Sequence, residues 1–260
     1  MEQNRPEPRR TLPPAQRRRR HRIRLVRNWT VFLLSCGAVM AVMTGGILWL
    51  LPKAYALIAP PTAFEAREYT GGAETDLSDA RLVLVNGNLP LTEEPTPELV
   101  VADEATGVSL EAEAAAAYRQ MAEAAQQDGV ELVLTAGHQD AAARQSAYEA
   151  AVQSYREAGS REEDAAAKAA TVQPAPEVSE YATGYAADIL AADSLEENTG
   201  FADTRAYEWL SAYAAEYGFI LRWPQERQAA TGMVFEPWHW RYVGRDNALA
   251  IRASGLSLEE

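Results

Sequence analysis

Apolar and polar positions fall into three patterns along this chain, and each predicts a different kind of element. The first is an uncharged run of 23 residues, 29–51, bounded by Trp29 and Leu51. As a helix rising about 1.5 Å per residue, it spans a hydrocarbon core of roughly 30 Å with some tilt. Trp29 and Trp49 sit near its two ends, where indole rings favour the membrane interface. The run therefore predicts a transmembrane helix rather than a buried core helix. Gly37, Ala41 and Gly45 repeat at four-residue spacing, which would let two such helices approach closely as a transmembrane dimer.

The second pattern has the period of an amphipathic helix. Tyr118, Met121, Ala122 and Ala125 form an apolar stripe, predicting a helix over 109–127 with Ser109 as its cap and Asp128-Gly129 as its stop. A second helix is expected over 140–157. Tyr207, Leu210, Tyr213, Ala214 and Tyr217 share one face of a third, over 204–217, ended by Gly218. A short one is expected at 247–253. The third pattern is the short apolar run: 81–86, ending in Asn86-Gly87, then 130–135, 219–221, 233–235 and 238–243 all read as strands. Residues 52–80 hold Pro52, Pro60, Pro61, Gly71 and Gly72 without periodicity and read as a linker. Residues 158–175 are rich in Ala and charge, suiting either a helix extension or a mobile insertion. Helices and short strands in this order predict an α+β domain over 81–245, a small antiparallel sheet packed with helices, followed by a C-terminal helix and tail at 246–260.

Charge sharpens the picture at the N-terminus. The formal net charge of −13 combines two unlike parts. Residues 1–28 carry ten Arg and two Glu, about +8, and the rest carry 14 basic and 35 acidic residues, about −21. An acidic domain of this kind lacks the basic face that displaces counterions from phosphates, so nucleic acid is excluded as its partner. Arginines on one side of the uncharged run place residues 1–28 in the cytoplasm and the domain outside the membrane. Cys36 is the only cysteine, so the domain has no internal disulfide. Leu34-Ser35-Cys36 resembles a lipoprotein cleavage site, but too few apolar residues precede Cys36, and an uncleaved signal anchor is expected.

Candidate chemistry concentrates in Glu236-Pro237-Trp238-His239-Trp240-Arg241-Tyr242-Val243-Gly244. A carboxylate three residues before a histidine suits a zinc hydrolase, the imidazole holding the metal and the carboxylate taking a proton from bound water. A strand whose His, Trp and Tyr are simply packed is the competing reading. A second segment, Ser179-Glu180-Tyr181-Ala182-Thr183-Gly184-Tyr185-Ala186-Ala187-Asp188-Ile189, tilts the balance.

Taken together, Leu82-Val83-Leu84-Val85-Asn86, the Ala136-Gly137 loop, Ser179-x-x-x-x-Gly184-x-Ala186-x-Asp188, Tyr217-Gly218-Phe219-Ile220-Leu221-Arg222 and the Glu236–Gly244 stretch resemble the zinc D-alanyl-D-alanine carboxypeptidases of the VanY type. The resemblance implies an enzyme that trims, outside the membrane, peptidoglycan stem peptides ending in D-Ala-D-Ala, which fits a domain anchored by residues 29–51 and facing outward. It also implies zinc as cofactor, with Asp188 and His239 as metal ligands and Glu236 as catalytic base. Ser179 and Gln139 fall at positions that meet the substrate. The sequence departs from the family at the remaining ligand, where Tyr181 replaces a histidine. A phenol, with pKa about 10, is a poor substitute for imidazole. The family's substrate-binding arginine becomes Gln139, flanked by His138 and Asp140. Of the three histidines, His21 lies on the cytoplasmic side, and His138 is the candidate replacement ligand. Two readings stay open: an active carboxypeptidase, or a pseudoenzyme that binds peptidoglycan peptides or an envelope partner without hydrolysis.

Overall fold

A computed structural model describes residues 76–260 and, nearer the N-terminus, Val26, residues 28–37, Met40 and Met43. The chain divides into two compact units, Met1–Thr62 and Ala63–Glu260. In the first, residues 28–37 are helical. Most of the predicted span 29–51, the basic tail and the linker up to residue 75 lie outside the described residues. Among the described residues no helix is long and apolar enough to cross a membrane.

In the second unit, strands β1 (Leu99–Val101) and β2 (Ser109–Glu111) form an antiparallel pair. Helix α1 (Ala112–Gln127) leads to β3 (Leu132–Ala136), α2 (Ala141–Glu157) and α3 (Glu162–Ala169). After two short 3-10 turns come β4 (Ala186–Ala191), α4 (Arg205–Tyr213), β5 (Phe219–Leu221), α5 (Gln228–Thr231), β6 (His239–Tyr242) and α6 (Arg245–Ser254). A four-stranded antiparallel sheet runs in the order β3-β4-β6-β5. The expected α+β architecture with a small antiparallel sheet is what forms.

Alternation across the two central strands divides the sheet into a packing face and a chemical face. Ala187, Ile189, Trp240 and Tyr242 join Tyr118, Met121, Leu134, Trp209, Leu210 and Phe219 in the main hydrophobic core. Asp188, His239 and Arg241, at the intervening positions, are buried polar residues. A slip of one residue in β6 would exchange the two sets, so core packing also fixes where the polar side chains point.

Several local expectations change. Ser109 does not cap α1: it pairs with Val101 in the β1–β2 ribbon, and the Glu111 carboxylate accepts from the Glu113 and Ala114 N–H groups instead. A negative charge at a helix start also complements the helix dipole. Residues 81–86 form no strand. A 3-10 turn occupies Ala80–Leu82, and the Arg241 guanidinium takes the carbonyls of Arg81 (3.1 Å) and Val83 (3.0 Å) that a neighbouring strand would need. Residues 233–235 are not a strand either, because Met233 N–H donates to Thr231 Oγ1 and Val234 N–H to the Thr171 carbonyl. Strand β1 lies just after Pro95 and Pro97, where the sequence predicts no element. In the 158–175 segment, α3 buries Ala165 and Ala169 against Val152 of α2, a small second cluster that makes a helical hairpin.

Candidate active site

Antiparallel pairing sets Asp188 on β4 directly across from His239 on β6, with Ala136 of β3 on the other side of Asp188. Both side chains are buried, and His239 is fully enclosed. His239 Nδ1 lies 2.7 Å from Asp188 Oδ1. Gly184, at φ +73°, turns the chain from the Glu180–Thr183 3-10 turn into β4. A Cβ there would press on Glu111 N at 3.0 Å, which is why this step takes glycine.

The turn brings Tyr181 onto the same two groups. Its hydroxyl sits 2.8 and 2.7 Å from the two Asp188 carboxylate oxygens and 2.9 Å from His239 Nδ1. Burial, then repulsion from Asp188 and Glu236, pushes the phenol well above its usual pKa, so it is neutral and donates to Asp188. On the far side of the ring, His239 Nε2 lies 3.0 Å from Glu180 Oε1. Burial alone would lower the imidazole pKa, but the hydrogen bonds to Asp188 and Glu180 outweigh it and raise the value to about 9. His239 is thus an imidazolium at neutral pH, donating from Nδ1 to Asp188 and from Nε2 to Glu180. The Trp223 indole stacks on it, with ring centroids 4.0 Å apart and planes at 15°, a favourable setting for a ring cation.

Glu180 is the hub of a second layer. Its Oε2 accepts from Arg222 Nε (2.8 Å) and Arg241 Nη1 (3.0 Å), and all three residues are buried. Burial would raise the Glu180 pKa, but Arg222, Arg241 and His239 hold it far below the usual carboxylate range. Arg222 also makes a fork to Glu259 near the chain end, at 2.9 and 2.7 Å.

Glu236 stands one turn before His239, whose N–H donates to the Glu236 carbonyl at 3.1 Å. Burial raises its carboxyl pKa to about 8; His239 opposes the rise, while Asp188 and Glu197 add to it. Glu197, on the loop after β4, is raised by partial loss of water and by repulsion from Asp188. A buried carboxyl poised near neutrality beside other ionisable groups is characteristic of a functional site.

The structure therefore gathers Asp188, His239, Glu236 and Tyr181. Gln139 borders them, its N–H donating to the Tyr181 carbonyl at 3.2 Å. Its side-chain Oε1 is buried without a partner, as is the hydroxyl of fully buried Ser179. His138 is set apart. Its backbone donates to the Ser109 carbonyl, and the charged groups acting on its ring are Arg144, Asp140 and Glu94. Sequence reasoning missed Glu180, Glu197 and Trp223. The signal available for Glu180 was a pair of arginines, Arg222 and Arg241, embedded in apolar runs, since buried cations demand a buried anion.

An antiparallel sheet presenting an aspartate and a histidine from adjacent strands, with a poised carboxyl one turn before the histidine, defines a peptidase-like α+β domain. A family model described as VanY, D-alanyl-D-alanine carboxypeptidase, matches residues 107–245, and the chain belongs to that family. A D-alanyl-D-alanine carboxypeptidase of Enterococcus faecalis (strain ATCC 700802 / V583) is 31% identical over 191 residues, 74% of this chain and 69% of the relative. Among solved structures, the vancomycin-resistance D,D-pentapeptidase VanY of the VanB-type cassette, in complex with Zn(II), aligns with a TM-score of 0.63 at 30% identity, covering 69% of this chain and 97% of that one. VanYB in complex with D-alanine-D-alanine aligns with a TM-score of 0.62 at 30% identity, covering 69% and 95%.

The donor set of this chain does not fit zinc. A catalytic zinc takes three protein donors besides its water, and of the three positions only Asp188 and His239 keep a suitable donor, a phenol holding the third. The point toward which Asp188 and His239 converge is filled by the neutral Tyr181 hydroxyl at hydrogen-bond distance from each. Among the described residues no group of three or more His, Cys, Asp or Glu is arranged to hold a metal ion.

Proposed function

We propose that this chain is a membrane-anchored, extracytoplasmic member of its family that binds D-alanine-containing peptidoglycan stem peptides without zinc-dependent hydrolysis. The observation that carries the reading is the Tyr181 hydroxyl bonded to both Asp188 oxygens and to His239 Nδ1. It stands where the third protein ligand of a catalytic zinc would be, leaving only two. The retained framework supports peptide binding, as do the unpartnered Ser179 hydroxyl and Gln139 side-chain oxygen beside it. Anchoring is supported by the uncharged run 29–51 and by the ten arginines preceding it, which also favour a cytoplasmic N-terminus. The Gly37, Ala41, Gly45 spacing supports pairing of two such helices.

The test uses the full chain in detergent with purified peptidoglycan sacculi. Co-sedimentation without release of D-alanine, and with far less than one zinc per chain, is expected. Chelator-sensitive release of D-alanine that disappears in Glu236→Gln would overturn the non-catalytic reading in favour of an active zinc carboxypeptidase. Failure to sediment with sacculi would overturn the peptide-binding reading.

A further inference from the structure

The side chains around the peptide-facing loop have an unusual balance of donors and acceptors. Gln139 Oε1 is an acceptor only, buried and without a protein partner. The Ser179 hydroxyl, fully enclosed, is likewise unmatched. Leaving such a group unpaired costs roughly 1–3 kcal/mol, so two of them beside one turn mark a place where a ligand supplies the missing partners. For the amide oxygen the partner must be a donor. Gln139 and Ser179 flank the same turn, since the Gln139 N–H is bonded to the Tyr181 carbonyl.

Cations that would receive a carboxylate are committed elsewhere. Arg144, next along the chain at the start of α2, is 2% exposed. Its guanidinium donates to both Glu94 oxygens (2.9 and 2.7 Å), to the Gln139 carbonyl (2.6 Å) and to the Pro176 carbonyl (3.1 Å). Arg222 and Arg241 are equally buried and are engaged by Glu180, by Glu259 and by the Arg81 and Val83 carbonyls. His239 is held between Asp188 and Glu180. What remains beside Gln139 is the carboxylate of Asp140, which caps α2, and that of Asp188 behind the Tyr181 hydroxyl. An incoming carboxylate finds no free fork of donors and meets like charge, whereas an amide end offers an N–H to Gln139 and carries no charge.

We propose that this site selects a stem peptide whose terminal D-alanine carboxyl is converted to an amide over the same peptide ending in a free carboxylate. The inference rests on the peptide-binding reading above and specifies its ligand. Gln139 is the specificity-determining residue, accepting the amide N–H, and Ser179 meets the adjoining carbonyl or amide.

The experiment measures binding of three peptides to the full chain in detergent by calorimetry: L-Lys-D-Ala-D-Ala as the free acid, as its carboxamide and as its N-methylamide. The carboxamide is expected to bind at least tenfold more tightly than the acid. An N-methylamide that binds as well as the carboxamide identifies a continuing peptide bond, as in a cross-link, as the natural form. One that binds like the acid identifies terminal amidation. Gln139→Met, which keeps the volume but lacks the acceptor, is expected to abolish the preference. Gln139→Arg is expected to reverse it, each variant being compared at an unchanged melting temperature. Equal or tighter binding of the acid by the unmodified chain overturns the inference while leaving the peptide-binding reading intact. If the chain sediments with sacculi but binds none of the three peptides, the inference alone is overturned. If it does neither, both are.

Discussion

Tyr181 donates its phenolic proton to Asp188, a residue seven positions further along the chain, across distances of 2.7 and 2.8 Å to the two carboxylate oxygens. Removing that hydroxyl leaves a buried carboxylate short of one charge-assisted hydrogen bond, with no water able to replace it at low cost. Tyr181→Phe is therefore expected to lower unfolding free energy by about 1–3 kcal/mol. Urea denaturation followed by circular dichroism checks this; an unchanged midpoint would show that the hydroxyl contributes nothing.

Tyr181→His tests the rest of the metal constellation. An imidazole in that place supplies a third ligand beside Asp188 and His239 and removes the hydroxyl that fills their point of convergence. A gain in zinc affinity of at least a hundredfold is expected, read by competition with a chromophoric chelator. A variant that stays metal-free would mean that the surrounding shell has also drifted from zinc-binding geometry.

Glu236 predicts a stability that depends on pH in a definite direction. Its folded pKa of about 8 lies above the ordinary 4.5. The folded state therefore favours the protonated carboxyl, and this contribution is complete below pH 4.5. It fades as pH rises toward 8 and is gone above it. Glu236→Gln keeps a neutral side chain at every pH. The variant should match the parent near pH 4.5 and exceed it by a few kcal/mol at pH 8. Melting curves across this range read the difference, and a gap that does not widen would contradict the assigned environment.

Glu180→Gln should be the most damaging of the conservative changes. It strips the shared anion from Arg222, Arg241 and His239, leaving buried Arg241 with no carboxylate and the other two with only Glu259 and Asp188, at a cost of about 3–5 kcal/mol. Because the Glu180 pKa is depressed, the stability it confers is present above about pH 4.5 and declines as acid approaches the lower folded value. The parent should lose stability steeply with acid, whereas the variant should start low and respond less. Equal acid sensitivity of the two would exclude Glu180 as the linked group.

How much of this was legible beforehand differs from one residue to the next. Asp188, His239 and Glu236 could be named because fixed spacing places them in short motifs beside a glycine turn and an apolar strand. The alternation of β6 was readable for the same reason. Glu180 was not, because its partners come from Arg222 and Arg241, 42 and 61 positions away, and only the strand register brings them together. The false strand at 81–86 has a related origin: its apolar run is genuine, but a guanidinium rather than a neighbouring backbone satisfies its carbonyls. Tyr181 was visible as a departure from the family pattern. Which atoms its hydroxyl would touch required the turn before β4 to be seen in place.

The indole lying flat on His239 has a practical consequence. Protonated imidazole is an efficient quencher of tryptophan emission, and Trp223 is held at ring-contact distance from one. Its fluorescence should brighten when alkali above about pH 9 discharges the ring, or when a ligand pulls the two planes apart, giving the molecule a built-in optical gauge of its own interior.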